Sequence, residues 1–311
     1  MQKTKVGIIY GGKSFEHEVS KMTAESILKN IDRDKFDVVE IYVSQDGSFD
    51  ESLLGNIDVA FLAVHGPNCE DGVLQSFLES KGVPYTGSGV EASRLNMNKI
   101  EQHKTFAAVG LRTTDFLPFK QGESREELFL KIEKTLHYPL FVKPNDAGSS
   151  IGSSRVQDKN ELDKALDEAL RYDDWIIIEK AVENPRELEL AVLGNDKLII
   201  SEPGEILSGG EFYSYDSKYF HPFETEMIAN SLTEKQIKTL KEWAEKAYRT
   251  TGCKGYARVD FFLDQEGQIY INEINTLPGF TKISMFPKMM EAKGIPYNDL
   301  ITRIIELALG K

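Results

Sequence analysis

The chain has 311 residues, of which 41% are hydrophobic and 28% are charged, and its formal net charge is −13. This composition is typical of a globular protein large enough for two or three packed units, and the negative charge disfavours a nucleic-acid surface. The apolar runs are too short to span a membrane, and the N-terminus has no secretory pattern. Two cysteines give no disulfide framework. We expect a cytoplasmic protein without membrane or nucleic-acid partners.

The first 95 residues alternate predicted strands with predicted helices. Strands are expected over residues 6–10, 38–43 and 59–64, and helices over 16–30 and 72–80. Strands that alternate with helices are typical of a parallel sheet with helices on its faces. We therefore predict an α/β unit over residues 1–95.

Residues 96–182 form a second predicted unit of α+β character. A helix is expected over 99–109, strands over 138–144 and 175–179, and a turn rich in glycine and serine over 145–152. A short strand and a helix between that turn and residue 172 complete the unit. The pattern predicts an α+β unit.

The third predicted unit covers residues 183–311 and contains a strand over 187–193 and a helix over 233–250. The segment 202–222 has no clean periodicity. A stretch of this length without regular structure is usually a functional loop, so we predict that it forms a lid. A helix near 299–309 closes the unit.

A predicted hairpin at 255–280 carries four polar side chains that suit a metal–phosphate site. Arg258 and Asp260 lie two apart on its first strand, and Glu273 and Asn275 lie two apart on its second. Residues two apart in a strand share a face. Oxygen donors of this kind suit Mg²⁺, which binds one or two carboxylates and completes its shell with water and phosphate. A solvated hairpin is the alternative interpretation.

The register of this hairpin decides whether the four side chains meet. A two-residue turn at 265–266 would place Asp260 opposite Ile271 and Arg258 opposite Glu273. Residues that oppose each other share a face, so all four would project into one cleft. A three-residue loop without a bulge would put Asp260 and Arg258 on the other side.

One motif in the N-terminal unit matches the phosphate-binding P-loop pattern by letter. The stretch GIIYGGKS begins at Gly7, inside an apolar predicted strand. A P-loop needs its first glycine at the end of the strand, so the context argues against it. The two remaining interpretations are a turn between strand and helix, and a turn that lines a substrate pocket together with the helix N-terminus.

Four further positions are candidate ligand contacts. Lys143 precedes the glycine- and serine-rich loop, whose backbone N–H groups could surround an anion. The apolar strand that ends at Glu179 leads into a link that could receive an adenine ring, with Glu187 beyond it. His65 follows a strand where ligands bind in open α/β sheets. The alternatives are an ordinary turn, a core strand with a polar end, and a structural histidine.

Together these landmarks resemble the D-alanine–D-alanine ligases of the ATP-grasp superfamily over essentially the whole chain. The matching stretches are GGKSFEHEVS, HGPNCEDGVLQ, GVPYTGSG, MNKI, PLFVKP with GSSIG, IIIEK, FYSYDSKY, GYARVDFFLD and INEINTLPGFTKIS. Their order and spacing are specific, although each stretch alone is modest. The resemblance implies an ATP-grasp fold in which the second and third units enclose ATP.

The resemblance implies four groups of site residues. The expected ATP-binding residues are Lys99, Lys143, Ser149, Glu179, Lys180, Ala181, Val182, Glu187 and Lys218. The expected ligands of two Mg²⁺ ions, for which Mn²⁺ could substitute, are Asp260, Glu273 and Asn275. The expected amino-acid-binding residues are Glu16, His65, Lys218, Ser284 and Met285. The expected catalytic residues are Glu16, Ser149, Tyr219, Arg258 and Gly279.

The implied activity joins two D-alanines, through a D-alanyl phosphate, in peptidoglycan precursor synthesis, with ATP as co-substrate; a homodimer is also implied. Cys69, the pair at 146–147 and the pair at 282–283 depart from the family pattern. The pair 282–283 lies near the expected acceptor subsite, whereas Tyr219 resembles dipeptide-forming members. A D-alanine–D-X ligase, or another ATP-grasp carboxylate–amine ligase with a different acceptor, is the first alternative. A non-catalytic nucleotide-binding regulator is the second.

Overall fold

The computed structural model describes residues 3–207, 224–226 and 228–310. Its N-terminal part contains a parallel sheet in the order β2-β1-β3. The elements are β1 (Thr4–Gly11), α1 (His17–Asn30), β2 (Phe36–Val43), a short 3₁₀ helix (Glu51–Asn56), β3 (Val59–Leu62) and α2 (Val73–Ser80). The predicted parallel sheet is therefore confirmed. Apolar side chains from both faces of these strands fill the first core.

The central part contains a four-stranded sheet in the order β4-β7-β5-β6, in which all neighbours are antiparallel. Its elements are α3 (Val90–Met97), α4 (Lys99–Ala108), β4 (Phe116–Lys120), α5 (Arg125–Thr135), β5 (Leu140–Pro144), β6 (Ser154–Val156), α6 (Lys159–Ala169) and β7 (Trp175–Lys180). The strand β4 and helices α3 and α5 were not predicted from the sequence. Apolar residues of α5, α6 and the sheet form a separate core.

The third sheet has six strands, in the order β11-β10-β8-β12-β13 with β9 paired to β8. Its strands are β8 (Arg186–Leu193), β9 (Ile199–Ile200), β10 (Gly204–Leu207), β11 (Glu224–Glu226), β12 (Tyr256–Leu263) and β13 (Ile269–Asn275). The helices are α7 (Glu234–Thr250), α8 (Met285–Ala292) and α9 (Tyr297–Ala308). In the predicted lid segment, residues 204–207 are a strand of this sheet, and most of the remainder lies outside the described residues.

The predicted register of the β12–β13 hairpin is wrong, although the predicted shared face is right. Asp264 N–H donates to the Gln268 carbonyl at 3.0 Å, so the loop has three residues instead of two. The pairing then shifts by one residue at a β-bulge, and Asp260 opposes Glu273. The bulge leaves Asn272 and Glu273 on the same side of the strand, between buried Ile271 and Ile274. An extra residue in one strand is what a bulge supplies.

The structure excludes the P-loop interpretation. Gly7 lies in the middle of β1 and pairs with both neighbouring strands. A Cβ atom at Gly7 would lie 2.7 Å from the terminal methyl group of Ile57, so a larger residue there would require Ile57 to shift. The strand ends at Gly11, and the left-handed backbone at Gly11 and Gly12, with φ of 94° and 100°, forms the turn into α1.

The C-terminal helices pack against the N-terminal sheet. α9 contributes Leu300, Ile301 and Ile304 to the first core, and the Tyr297 hydroxyl donates to Ser26 Oγ of α1 at 2.9 Å. The first core thus contains residues from both ends of the chain. Across the described ranges, no helix combines the length and apolar character needed to cross a membrane.

Candidate active site

A cavity lies where the second sheet faces the third, and most of the predicted ATP-site residues line it. The predicted residues that line the cavity are Lys99, Lys143, Ser149, Glu179, Lys180, Val182, Glu187, Arg258, Asp260, Glu273 and Asn275. They come from α4, β5, the glycine- and serine-rich loop, the link after β7, and the strands β8, β12 and β13. The fold therefore brings together candidates that are 176 positions apart in the chain, from residue 99 to residue 275.

The first wall of the cavity, which we call the lysine wall, is formed by Lys99, Lys143 and Glu179. Glu179 is 3% exposed, yet it is ionised because donors surround its carboxylate. Lys143 Nζ lies 2.5 Å from one oxygen, and His103 Nε2 and Thr114 Oγ1 lie 3.2 and 3.1 Å from the other. Burial alone would raise the pKa of Glu179, but Lys143 and His103 lower it to about 2.

The same contacts fix the protonation of the neighbouring groups. Burial lowers the pKa of His103, so its ring is neutral at pH 7. Its Nδ1 is buried and has no hydrogen-bond partner among the residues that the structure describes, which favours the tautomer that carries its proton on Nε2 and donates to Glu179. Burial also acts against the Lys143 charge, but Glu179 and Glu273 outweigh it and raise the pKa of Lys143.

Lys99 is the second ammonium of the lysine wall. Its Nζ donates to the Ala147 carbonyl at 2.5 Å, which ties α4 to the glycine- and serine-rich loop. Burial lowers the pKa of Lys99, and Glu273 across the cavity acts in the opposite direction. Both lysines therefore face the carboxylates of the third sheet.

The second wall, which we call the carboxylate wall, is one face of β8, β12 and β13. Glu189, Asp260 and Glu273 lie in a row across the three strands, because Asp260 pairs with the other two. Glu187 lies two residues from Glu189 on the same face. The four carboxylates on this face line one cavity, and the Arg258 guanidinium lies among them.

Arg258 is held by two of these carboxylates. Its Nε and Nη2 donate to the two oxygens of Asp260, both at 2.7 Å, in a bidentate pair. Its Nε also lies 3.2 Å from Glu189 Oε2. The Asn275 amide donates to Asp260 at 2.9 Å. These contacts direct the Arg258 guanidinium along the floor of the cavity.

The donor set of the carboxylate wall fits Mg²⁺. Asp260 and Glu273 supply carboxylate oxygens from adjacent strands, and Asn275 supplies an amide oxygen two residues from Glu273. Carboxylates gathered on one face of a cavity favour a divalent cation, which would in turn attract a polyphosphate. No three His, Cys, Asp or Glu side chains converge as a ready-made metal cluster within the described ranges, so the Asn275 oxygen would be required.

A third group of predicted residues lies beside the cavity in the N-terminal unit. Ser149 Oγ donates to the Glu16 carboxylate, which joins the glycine- and serine-rich loop to the residue before α1. Gly66 makes room for that carboxylate, because a Cβ atom there would lie 2.7 Å from Glu16 Oε2. Glu16 is 5% exposed. The N-terminal and central units are therefore connected at this carboxylate.

His65 is buried next to Glu16 and belongs to a small polar network. Its Nδ1 lies 3.3 Å from Glu70 Oε1, and its Nε2 lies 3.0 Å from Thr23 Oγ1. Burial acts against a charged ring, but Glu70 and Glu16 outweigh it and raise the pKa of His65. Glu70 itself lines the cavity, so His65 reaches the cavity through Glu70.

The remaining predicted residues lie in other places. Gly279 and Ser284 belong to the turn between β13 and α8, where Ser284 Oγ accepts from the Thr281 N–H at 3.1 Å. Met285 is the first residue of α8, and its side chain is buried against Gly204. Ala181 is buried behind the link. Lys218 and Tyr219 lie outside the described residues, so their predicted roles stay predictions.

Several cavity residues were missed by the sequence reasoning. Glu189 could have been found, because it lies two residues from Glu187 on a strand that alternates apolar and acidic side chains. Glu70 appears in one of the quoted stretches without an assigned role. Thr114, and His103 that contacts Glu179, gave no signal, since each is flanked by other polar residues in the sequence.

Family models match most of the chain. The model described as the D-ala D-ala ligase C-terminus matches residues 105–306, and that of the N-terminus matches residues 5–53 and 48–88. Similar curated proteins include D-alanine–D-alanine ligases from Geobacillus thermodenitrificans, with 40% identity over 99% of this chain and 96% of the relative, and from Caldicellulosiruptor bescii, with 39% identity over 100% and 96%.

Solved structures agree with these relatives. The D-alanine–D-alanine ligase from Coxiella burnetii has a TM-score of 0.89 at 30% identity, with 100% of this chain and 95% of that chain covered. The Bacillus anthracis ligase complexed with ATP has a TM-score of 0.84 at 32% identity and covers 99% and 98%. VanG D-Ala:D-Ser ligase from Enterococcus faecalis has a TM-score of 0.87 at 33% identity and covers 99% and 100%. The predicted ATP-grasp fold is thereby confirmed, and the chain belongs to the D-alanine–D-alanine ligase family.

Proposed function

We propose that this enzyme joins two molecules of D-alanine at the expense of ATP and so supplies D-alanyl-D-alanine for peptidoglycan precursors. The observation that carries the proposal is the pair of opposed walls, which places Lys99 and Lys143 across the cavity from Arg258, Asp260 and Glu273. Binding a nucleotide would need the lysines. A guanidinium directed into the same cavity adds a group that can stabilise charge developing during acyl transfer.

Two chemical steps make up the reaction. A carboxylate oxygen of the first D-alanine attacks the γ-phosphorus of ATP; the bond to the β-phosphate oxygen breaks, and ADP leaves with the electron pair. The deprotonated amino group of the second D-alanine then attacks the carbonyl carbon of the acyl phosphate. The carbon–oxygen bond to phosphate breaks, and the dipeptide and inorganic phosphate are released. Exclusion of water protects the acyl phosphate from hydrolysis.

ATP would lie between the two walls. In this arrangement Lys99 and Lys143 face the phosphates, the link 179–182 receives the adenine, and Glu187 binds ribose hydroxyls. Mg²⁺, or Mn²⁺ in its place, held by Asp260, Glu273 and Asn275, would neutralise phosphate charge. Two such ions are expected. The glycine- and serine-rich loop would contribute Ser149 to the same nucleotide.

The amino-acid substrates would bind where the cavity meets the N-terminal unit. The Glu16 carboxylate, held by Ser149, would receive the ammonium of the first D-alanine, with His65 nearby. Arg258 and the Gly279 N–H would stabilise the oxyanion that forms when the acyl carbonyl is attacked. Ser284 and the Met285 backbone would receive the carboxylate of the acceptor.

A specific alternative exists for the acceptor, which is the second amino acid of the product. Ile283 is 57% exposed in the turn that carries Ser284, and Lys282 precedes it. Because a D-Ala:D-Ser ligase is among the similar structures, a D-alanine–D-X product is the second candidate. We further propose that the enzyme works in the cytoplasm as a homodimer, as the resemblance implies.

The test is an assay of phosphate release with ATP, Mg²⁺ and single amino acids, with the product identified by mass. D-Alanine alone should give D-alanyl-D-alanine, and L-alanine should give no product. A mixture of D-alanine and D-serine separates the two candidates, because a D-X ligase would form D-alanyl-D-serine in preference. Phosphate release that does not need any amino acid would contradict the proposal.

A further inference from the structure

Arg258 and the expected metal compete for the same carboxylate. Asp260 gives both of its oxygens to Arg258, at 2.7 Å each, and it is also an expected Mg²⁺ ligand. A carboxylate whose oxygens coordinate a cation cannot keep an undistorted bidentate pair with a guanidinium. When a cation binds Asp260, the contact of Arg258 with its second carboxylate, Glu189, therefore gains in importance.

Glu189 is placed to take over that function. It is 3% exposed and lies on β8 directly opposite Asp260, and its Oε2 is already 3.2 Å from Arg258 Nε. It is not among the residues expected to bind the metal. A guanidinium that is only 16% exposed requires a charged partner, because an unpaired charge in such surroundings is costly.

We infer that Glu189 is a positioning residue, which keeps Arg258 directed at the reacting carbonyl once Asp260 has turned to the metal. This inference rests on the proposed function, because it assumes a metal at Asp260 and an oxyanion at Arg258. Asp260 and Glu189 thus hold Arg258 one after the other. Asp260 holds it in the metal-free protein, and Glu189 holds it in the loaded enzyme.

The primary variant is Glu189→Gln, which keeps the shape of the side chain and removes its charge. We expect kcat to fall roughly tenfold to a hundredfold, because a displacement of about 1 Å in a catalytic group has an effect of this size. The KM for ATP should change much less. Glu189→Asp, which restores the charge, should recover part of the lost kcat.

Metal binding gives a readout that does not depend on turnover. Without Glu189, Arg258 stays on Asp260 and obstructs the metal, so Mn²⁺ should bind the Glu189→Gln protein more weakly, as measured by electron paramagnetic resonance with ADP present. A double-mutant cycle with Arg258→Ala shows whether Glu189 affects Mn²⁺ binding through Arg258. If Glu189 acts through Arg258, Glu189→Gln should weaken Mn²⁺ binding much less when Arg258 is already absent.

Glu205→Gln is the matched control. Glu205 is also a buried carboxylate of the same sheet and forms a bidentate pair with Arg186 at 2.7 and 2.6 Å, but it does not line the cavity. It should lower the melting temperature without changing Mn²⁺ affinity or kcat.

The two proposals can fail separately. If the unmodified enzyme is active and metal-dependent but Glu189→Gln equals it in kcat and in Mn²⁺ affinity, the Glu189 inference is wrong. Equal effects of Glu189→Gln in the presence and absence of Arg258 would also overturn it. If the unmodified enzyme binds no metal and makes no dipeptide, the proposed function itself is wrong.

Discussion

The two walls of the cavity differ in the groups that surround their carboxylates. On the lysine wall, Glu179 is surrounded by Lys143, His103 and Thr114, which come from the protein itself. On the carboxylate wall, four carboxylates line one face of the cavity, and Arg258 contacts two of them, Asp260 and Glu189. A buried carboxylate that is matched by fixed donors contributes to folding, whereas several carboxylates on one face of a cavity favour a bound cation. The charge of Glu179 therefore serves the stability of the fold, whereas the charges of the carboxylate wall serve binding.

The largest expected effect comes from removing the Arg258 guanidinium from the carboxylate wall. Arg258→Ala should lower kcat about 10²- to 10³-fold, because an oxyanion donor has been lost. Nucleotide affinity should change little, since the lysines are intact. Steady-state kinetics together with calorimetry of ADP binding separate the two effects. A variant that turns over at the parent rate would exclude the role assigned to Arg258.

Removing the charge of Glu179 from the lysine wall should mainly reduce the stability of the protein. Glu179→Gln leaves Lys143 buried without its counter-ion and should lower the free energy of unfolding by about 3 kcal/mol at pH 7. The pKa of Glu179 is about 2 in the folded protein and ~4.3 when unfolded. Its stabilising effect is therefore present above about pH 4.3 and is lost as the pH falls toward 2.

Urea unfolding at several pH values from 7 down to about 2.5, which covers most of this window, measures the effect. The difference between the parent protein and Glu179→Gln should shrink at the acidic end of that range. Glu183→Gln is the control, because Glu183 is exposed and close in sequence, and it should unfold like the parent at every pH. A constant difference across the range would show that Glu179 acts through packing instead of charge.

The contact between the N-terminal unit and the cavity should have an intermediate effect. Ser149→Ala removes the hydroxyl that donates to the Glu16 carboxylate. Since a hydrogen bond to a charged group contributes about 1.5–3 kcal/mol, we expect kcat/KM for D-alanine to fall at least tenfold. Ser153→Ala, in the same loop, is the control and should retain activity. Equal losses in the two variants would point to general disturbance of the loop.

The smallest effect concerns Asp146, near the lysine wall. Burial, together with Asp173, raises the pKa of Asp146 to about 6. The folded protein therefore loses stability as the pH rises from about 4, where the unfolded group ionises, to about 6. Asp146→Asn should stabilise the protein at pH 8 by about 0.5 kcal/mol, after allowance for solvent screening, and by nothing near pH 4.

Melting curves at pH 8 and pH 4 test this prediction. Asp174→Asn, at an exposed neighbouring position, should leave the melting temperature unchanged at both values. Stabilisation of equal size at the two pH values would contradict a charge-based cause.

The sequence predicted regular elements well where the periodicity was strong. The parallel N-terminal sheet and the capping box at Thr233 and Gln236 are examples. It missed β4, because Pro118 in the middle of that strand argues against a strand. This strand tolerates the proline because it lies at the edge of its sheet.

The candidate site was also predicted from the sequence only in part. Arg258, Asp260, Glu273 and Asn275 were grouped from their spacing, but the bulge that brings them to one face is invisible in the letters. The role of His103 could not be predicted without the fold, since only the packing of α4 against β7 brings it to Glu179. Local pattern thus identified the donors, whereas long-range packing decided which of them meet.

The central claim is that the carboxylates of the carboxylate wall make nucleotide binding depend on a divalent cation. The direct test is calorimetry of a non-hydrolysable ATP analogue with and without Mg²⁺, for the parent protein and for the double variant Asp260→Asn, Glu273→Gln. We predict that Mg²⁺ increases affinity at least tenfold in the parent and has little effect in the variant, which should bind the metal-free analogue more tightly than the parent does. A Mg²⁺ effect of the same size in both proteins would contradict the account.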